Sequence, residues 1–363
     1  MKHTQQPKYI QLKREILAWL QTGRLQPNDQ MPSEHEIAGR FGISRQTVRH
    51  TLGELVQEGR LYRIQGKGTF VSPAKSGGSQ GGQTIAMLTT YISDYIFPHI
   101  VRGAELSLRQ KGYSLLLSST DNDKEKELVH LQTILDQPPR GLIIEPTKSA
   151  LGNPNLPYFL ALRAQGIPFV MINERYPEMN CPCVKVDDAS GGFKATEHLI
   201  QLGHKRIAGF FKTDDLQGVN RLKGFLLALE QYHVALRPEF VVSYSTEEKN
   251  TKPFAAALDM LKRKDRPTAF VCYNDELAVK LLDAIRLVGL TVPRQLSITG
   301  FDDSSLATAS EIKLTTLTHP KADLGAKATE MLLDMIAGRP DGQPQDFVYA
   351  PELVIRESTC AWP

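Results

Sequence analysis

Near the N-terminus the apolar residues recur with a helical period. Tyr9, Leu12, Ile16 and Trp19/Leu20 share one face of the segment Pro7–Leu20, and Gly23-Arg24-Leu25-Gln26-Pro27 then stops it. Ile37, Ala38 and Phe41 form the inward side of a second, short helix. It is opened by Ser33-x-x-Glu36, a spacing in which hydroxyl and carboxylate each take a backbone N–H. Gly42 predicts a tight turn and Ser44 a cap for a third helix, whose buried stripe is Val48, Leu52 and Leu55. That stripe leaves Arg45, Gln46 and Arg49 facing outward in the first turn and a half. After Gly59, suited to a helix C-cap, Leu61–Ile64 and Thr69–Val71 are placed to pair around Gln65-Gly66-Lys67-Gly68.

From residue 73 the pattern changes. Pro73–Gln83, PAKSGGSQGGQ, has no apolar residue larger than Ala and reads as a flexible linker. Beyond it, short β-branched or apolar runs alternate with helical stretches. Strands are expected at Thr84–Thr90, Tyr113–Ser119, Gly141–Glu145, Pro168–Asn173, Arg206–Phe211, Thr268–Tyr273 and Leu296–Phe301. Helices are expected at Pro98–Lys111, Lys124–Leu135, Gly192–Leu202, Gly218–Gln231, Phe254–Lys264 and Glu276–Val288. A helix at Lys321–Ala337 and a last strand at Phe347–Arg356 close the chain. Alternation of this kind predicts parallel sheets covered on both faces, in two doubly wound lobes broken near Asn173–Asp188. Ligands in such sheets bind beyond the carboxyl ends of the strands.

The organisation that follows is a winged helix-turn-helix at 1–72, a linker at 73–83 and an α/β unit of two lobes at 84–357. A chain of 363 residues is long enough for two or three folded units. Charge separates along the same boundary. Residues 1–72 hold 11 Lys and Arg against 6 Asp and Glu, whereas the remainder holds 32 against 34. The positive excess therefore sits where a phosphate-binding unit would need it. The four cysteines, Cys181, Cys183, Cys272 and Cys360, lack metal-ligand or redox spacing, so no metal is expected. No apolar run approaches the ~20 residues of a membrane span, and the start does not read as a signal sequence. A cytoplasmic protein without membrane partners is expected.

The first unit has the chemistry to read DNA. The start of a third helix is where side chains reach base edges in the major groove, and a cationic wing can approach the backbone. This unit resembles the GntR family of regulators through three segments: Met31-Pro32-Ser33-Glu34-x-Glu36-Ile37-Ala38, Phe41-Gly42-Ile43-Ser44-Arg45-Gln46-Thr47-Val48-Arg49, and Gln65-Gly66-Lys67-Gly68-Thr69-Phe70-Val71. The resemblance implies double-stranded operator DNA as partner. It implies contacts by Ser33, Glu34, Ser44, Arg45, Gln46, Thr47 and Arg49, with Gln65, Gly66, Lys67 and Gly68 in the wing. Arg45 and Arg49 suit guanine or phosphate, and Gln46 suits adenine. His50 and Thr51 stand where that family commonly has an acidic residue and Ala, which implies altered specificity.

The second unit resembles the effector domain of the LacI/GalR regulators, a periplasmic-binding-protein-like fold. The resemblance is carried by Phe97-Pro98-x-Ile100-Val101-Arg102-Gly103, Val186-Asp187-Asp188-x-x-Gly191-Gly192, Glu197-His198-Leu199-x-x-Leu202-Gly203-His204, Tyr273-Asn274-Asp275-x-x-Ala278 and Ile298-x-Gly300-Phe301-Asp302-Asp303. It implies a sugar effector and a homodimer. GntR-type reader and LacI/GalR-type effector domain make an uncommon pairing. Within it the runs Leu88–Pro98, Glu145–Ala150 and Thr246–Lys249 are similar to one sugar-responsive type in particular, for which L-arabinose is the implied effector; another pentose or a hexose stays open.

A sugar needs directional donors and acceptors plus flat apolar faces. Tyr91, Tyr95, Phe97 and Phe211 supply faces at or near strand ends. Asp94, Glu145, Lys148, Asn173, Arg175, Asp188, Arg221, Asn274, Asp302 and His319 supply polar groups there. The plainer reading makes some of these caps and loop residues: Asp188 is equally placed to cap the helix from Gly192, and His319 to hold a lobe crossing. A repressor released by its sugar is thus expected, with no cofactor and no catalytic residues. An enzyme carrying a DNA-binding appendage is the rival. Against it, the strand ends show no nucleophile–base pair and no Gly-rich phosphate loop.

Overall fold

The computed structural model describes residues 8–21, 24–26, 28–57, 60–64, 67–72, 83–338 and 345–363. Its contacts divide the chain between Gln80 and Gly81. The linker expected at Pro73–Gln83 lies outside the described residues except for Gln83, as do Gly23, Pro27, Gly59, Gln65 and Gly66.

In the first unit, helices Lys8–Gln21, Glu34–Phe41 and Arg45–Gln57 precede an antiparallel hairpin, Leu61–Ile64 with Gly68–Val71. Leu12, Ile16, Trp19, Ile37, Val48, Leu52, Leu55 and Leu61 close around one apolar core. The anticipated capping box forms: Ser33 N–H donates to Glu36 at 2.7 Å, and Glu36 N–H donates to Ser33 Oγ at 3.2 Å. Gly42 ends the second helix in the left-handed region at φ 58°, and Ser44 Oγ accepts the Thr47 N–H to start the third. Tyr9, expected inside, is exposed because it lies at the edge of the stripe that Leu12, Ile16 and Trp19 define. The segment Asn28–Met31 also lines the wing, Met31 N–H reaching Thr69 O and Val71 N–H reaching Asp29 O, both at 2.8 Å. No apolar period marks that pairing in the sequence.

The second unit contains two parallel sheets. The larger runs in the order Phe347–Tyr349, Cys183–Val186, Phe169–Ile172, Gly141–Ile144, Thr84–Thr89, Ser114–Ser119. The smaller runs Ser297–Thr299, Ala269–Cys272, Ile207–Lys212, Val241–Tyr244. Gly141–Ile144, Phe169–Ile172 and Ala269–Cys272 are buried at every position, which is why they read as continuous apolar runs. Each sheet winds both ways from its first strand, so each has a switch point: between Thr84–Thr89 and Gly141–Ile144, and between Ile207–Lys212 and Ala269–Cys272.

Several expectations are corrected. The expected break near Asn173–Asp188 contains an unanticipated strand, Cys183–Val186, which completes the first sheet. The last strand divides in two around Pro351: Phe347–Tyr349 joins the large sheet, and Leu353–Val354 pairs antiparallel with Thr316–Leu317. Helix Leu156–Ala164 and strand Val241–Tyr244 were not anticipated. The unit also extends past residue 357, since Ser358 Oγ donates to Ile298 O and Trp362 N–H to Leu202 O. Among the described residues, no helix is long and apolar enough to cross a membrane.

Candidate functional site

The two switch points open onto one cavity of about 450 Å³. On the larger sheet, Glu145 follows its strand directly and is buried. Its Oε2 accepts from Thr90 N–H at 2.9 Å and from Thr90 Oγ1, and its Oε1 accepts from Asn173 Nδ2 at 2.6 Å. Burial pushes this carboxyl upward, against the stabilising donors of Thr90 and Asn173. Because the Asn173 amide nitrogen is committed to Glu145, its Oδ1 faces His319 Nε2 at 3.3 Å as an acceptor. That geometry assigns the imidazole proton to Nε2. Burial holds His319 down at about 4, so the ring is neutral near pH 7.

Opposite lies Arg221, buried at 2% exposure on the helix Leu216–Gln231. Its Nε donates to Asp188 at 2.7 Å, Nη1 to Tyr273 O at 2.6 Å and Nη2 to Asp302 at 3.3 Å. The guanidinium also lies 3.7 Å from the Phe301 ring centroid. The backbone permits this close arrangement. A Cβ on Gly192 would stand 2.2 Å from Arg221 O, and one on Gly224 2.0 Å from Ala189 O. Only glycines let helix Asp188–Gln201 come this close to the helix bearing the arginine. Beside it, Lys212 at the end of its strand pairs with Asp214 at 3.1 Å and Asp215 at 2.8 Å. Burial opposes its charge, yet those carboxylates raise the ammonium above its ordinary value. Tyr273 Oη completes the cluster by donating to Asp215 at 3.0 Å.

Of the expected ligand residues, Tyr91, Asp94, Tyr95, Phe97, Glu145, Asn173, Arg221, Asn274 and Asp302 line the cavity. Five do not. Phe211 is fully buried against Phe225, its ring turned into the core and away from the cavity. Lys148 is bound to Glu247 at 2.5 Å, and Arg175 to Asp346 at 2.6 Å. Asp188 stands behind Arg221, and His319 behind Asn173. Nor is Asp188 a cap: Asp187 caps the helix by accepting the Ser190 N–H, and Asp188 is its first helical residue. Asn274 does cap a helix while lining the cavity. Sequence reading missed Thr90, Glu174, Lys212, Asp215, Tyr244 and Tyr273. Lys212, Asp215 and Tyr273 follow expected strands and were legible by the strand-end rule; Tyr244 ends a strand that was not anticipated.

On the first unit, Arg45 and Gln46 are exposed at the start of the third helix, with Thr47 partly covered. Arg49 does not stand free. It grips Glu34 with Nε at 3.1 Å and Nη2 at 2.8 Å, so two residues of the expected surface hold each other. This hydrogen bonding draws the Glu34 carboxyl below its usual range. Ser33 and Ser44 are engaged as caps at the starts of the second and third helices. Lys67 is exposed in the wing, where its carbonyl accepts from Gln30 Nε2 at 2.7 Å, and Gly68 has φ 115°. Among the described residues no group of three His, Cys, Asp or Glu side chains is set to hold a metal.

Residues 8–71 match the gntR family of bacterial regulatory proteins, and residues 196–359 match the periplasmic binding protein-like domain. The arabinose metabolism transcriptional repressor of Geobacillus stearothermophilus is 58% identical over 99% of this chain and 99% of its own length. That of Halalkalibacterium halodurans is 45% identical over 97% of this chain and 96% of its own. A LacI family transcriptional regulator from Enterococcus faecium, solved with bound ribose, is 26% identical with a TM-score of 0.66, over 77% of this chain and 100% of its own. These relatives are transcription regulators and not enzymes. With a gntR-type reader ahead of a sugar-binding fold of the LacI type, the chain belongs to the arabinose metabolism transcriptional repressors.

Proposed function

We propose that the chain binds operator DNA as a homodimer, represses arabinose utilisation genes, and is released by L-arabinose, with no cofactor. The observation that carries this reading is the cavity at the paired switch points, lined from both lobes by fixed polar groups. Three of its cations are engaged by carboxylates: Lys212 by Asp214 and Asp215, Arg221 by Asp188 and Asp302, Lys280 by Glu276; a fourth, Lys249, lies against the Tyr91 ring. A phosphate or carboxylate would meet three neutralised cations among further acids, with Lys249 at the rim as its one counterweight among the described lining residues. A neutral polyol meets acceptors for its hydroxyls and the rings of Tyr91, Phe97 and Tyr273 for its C–H faces.

On the DNA side, Arg45, Gln46 and Thr47 read bases, Lys67 and Gly68 meet the backbone, and Ser33, Ser44 and Glu34 set the start of the motif. A dimer places two such heads on the half-sites of a near-palindrome. The test is a titration of operator DNA alone and with L-arabinose, D-xylose, D-ribose or D-galactose, alongside sedimentation of the free protein. L-Arabinose should weaken DNA binding by at least about 5-fold, the lower end of ordinary allosteric coupling. A protein that ignores all four sugars, or that sediments as a monomer at operator-binding concentrations, contradicts the proposal. Arg45→Ala should lose specific DNA binding and keep its sugar affinity.

A further inference from the structure

The three runs that set this chain apart in sequence, Leu88–Pro98, Glu145–Ala150 and Thr246–Lys249, come together at one edge of the cavity. Lys148 of the second run donates to Glu247 of the third at 2.5 Å. The Lys249 ammonium lies 5.2 Å from the ring of Tyr91 in the first. Asn122 ties the junction from both sides: its Oδ1 accepts from Lys148 N–H at 3.0 Å, and its Nδ2 donates to Thr246 Oγ1 at 2.7 Å. Tyr91, Asn122 and Lys148 belong to the lobe of the larger sheet, whereas Thr246–Lys249 follows strand Val241–Tyr244 of the smaller.

The crossing segment is braced on its own lobe. Thr246 N–H donates to Asp214 Oδ2 at 2.9 Å, and Ser245 N–H to Glu248 at 3.0 Å. Asn122 and Lys148 sit at positive φ, 56° and 43°, conformations that cost energy and persist where surrounding contacts impose them. Lys249, Asn122 and Tyr91 line the cavity; Lys148 and Glu247 do not. The last two therefore act across the cleft without facing its contents.

We propose that Thr246–Lys249 is a strap across the mouth of the sugar cleft, and that Lys148, Glu247 and Asn122 are positioning residues that set sugar affinity by holding it down. The proposal rests on the sugar reading above and goes beyond it by assigning affinity to Lys148 and Glu247, outside the cavity, and to Asn122 at its edge through the strap it holds. Bonds that join two lobes favour the closed form, and a ligand needing that form gains apparent affinity accordingly.

Calorimetric titration of L-arabinose into the full-length protein tests this with Lys148→Ala, Glu247→Ala, Asn122→Ala and the exchanged pair Lys148→Glu/Glu247→Lys. Because the ion pair is partly exposed, with side chains at 20% and 63%, each single truncation should weaken binding by about two- to fivefold. Asn122→Ala should weaken it more, and the exchanged pair should recover most of the loss. Operator binding without sugar, measured beside it, should stay unchanged in the Lys148 and Glu247 variants. Two results overturn the strap: wild-type sugar affinity in Glu247→Ala, or loss in Lys148→Ala alone without recovery in the exchange, which makes Lys148 a direct ligand. A wild-type protein that takes up none of the four sugars overturns the sugar reading itself, and is told apart from a failed strap by the wild-type titration.

Discussion

Arg221 shows how much of this site is electrostatic framework. Its guanidinium is almost fully buried and neutralised by Asp188 and Asp302. Removing one partner from such a group leaves the others buried without a countercharge, which typically costs about 3–5 kcal/mol. Arg221→Ala should therefore lower the urea midpoint sharply as well as abolish the sugar response; a variant of wild-type stability would mean that the two aspartates find other partners. His319 carries a second, pH-dependent consequence. Its pKa falls from 6.5 to about 4 on folding, so the unfolded chain takes up the proton first. The stability it contributes is present above pH 6.5 and is lost as pH falls toward 4, by about 3 kcal/mol in all. Asp302, Lys321 and Arg221 face it, and buried Asp275, raised to about 7, titrates in the opposite sense. The comparison must then be with His319→Gln: the wild-type advantage over that variant should shrink across pH 6.5 to 4 in paired melts. Parallel melting curves would remove His319 as the cause. Arg221 and His319 were both named from sequence, but the engagement of the first and the neutrality of the second were not legible, because their partners Asp188 and Asn173 lie 33 and 146 positions away. Phe211 failed for a related reason. In Ile207–Lys212 nearly every residue is apolar and buried, so no alternation indicates which side chains face the cavity.

At the level of helices and strands, the expected alternation succeeded where runs were continuously apolar, as in the four-residue Gly141–Ile144 and Phe169–Ile172, and failed where polarity was mixed. Cys183–Val186 and Val241–Tyr244 are four residues each and sit in segments with mixed polarity. The reading also treated Phe347–Arg356 as one strand, although Pro351 allows no continuous ladder through it. The third helix and its N-cap Ser44 were legible, since capping chemistry is local and needs only neighbours within four positions. What sequence could not convey is how closely two helices approach. Helix Asp188–Gln201 and helix Leu216–Gln231 touch through Gly192 and Gly224, and the second helix carries Arg221. Gly224→Ala introduces a methyl group 2.0 Å from a carbonyl oxygen, which must separate the helices. Overpacking of this kind costs about 1–3 kcal/mol. The variant should melt earlier and bind L-arabinose more weakly, because the shift moves Arg221 off Asp302. Loss of stability with unchanged sugar affinity would show that the arginine is held independently of its helix.

The two units differ in charge and chemistry. Each has its own core, that of the first built by Leu12, Ile16, Trp19, Val48 and Leu55. The first should therefore fold as a fragment, residues 1–72, and bind a half-site without any response to sugar. Joining two heads through a dimer makes the second contact intramolecular, a gain of about 10²–10⁴ in affinity when the spacing fits both half-sites. If L-arabinose acts by spoiling that spacing, it can remove the avidity gain but not the grip of a single head. Operator affinity of the full chain in saturating sugar should then fall to the level of the isolated fragment and stop there. Measured by anisotropy at fixed salt, since the phosphate contacts make every such affinity salt-dependent, the two values should coincide within a few-fold. Affinity far below the fragment's would mean that the sugar-bound unit actively covers Arg45 and Gln46. Affinity far above it would mean that both heads stay engaged and that release follows another route.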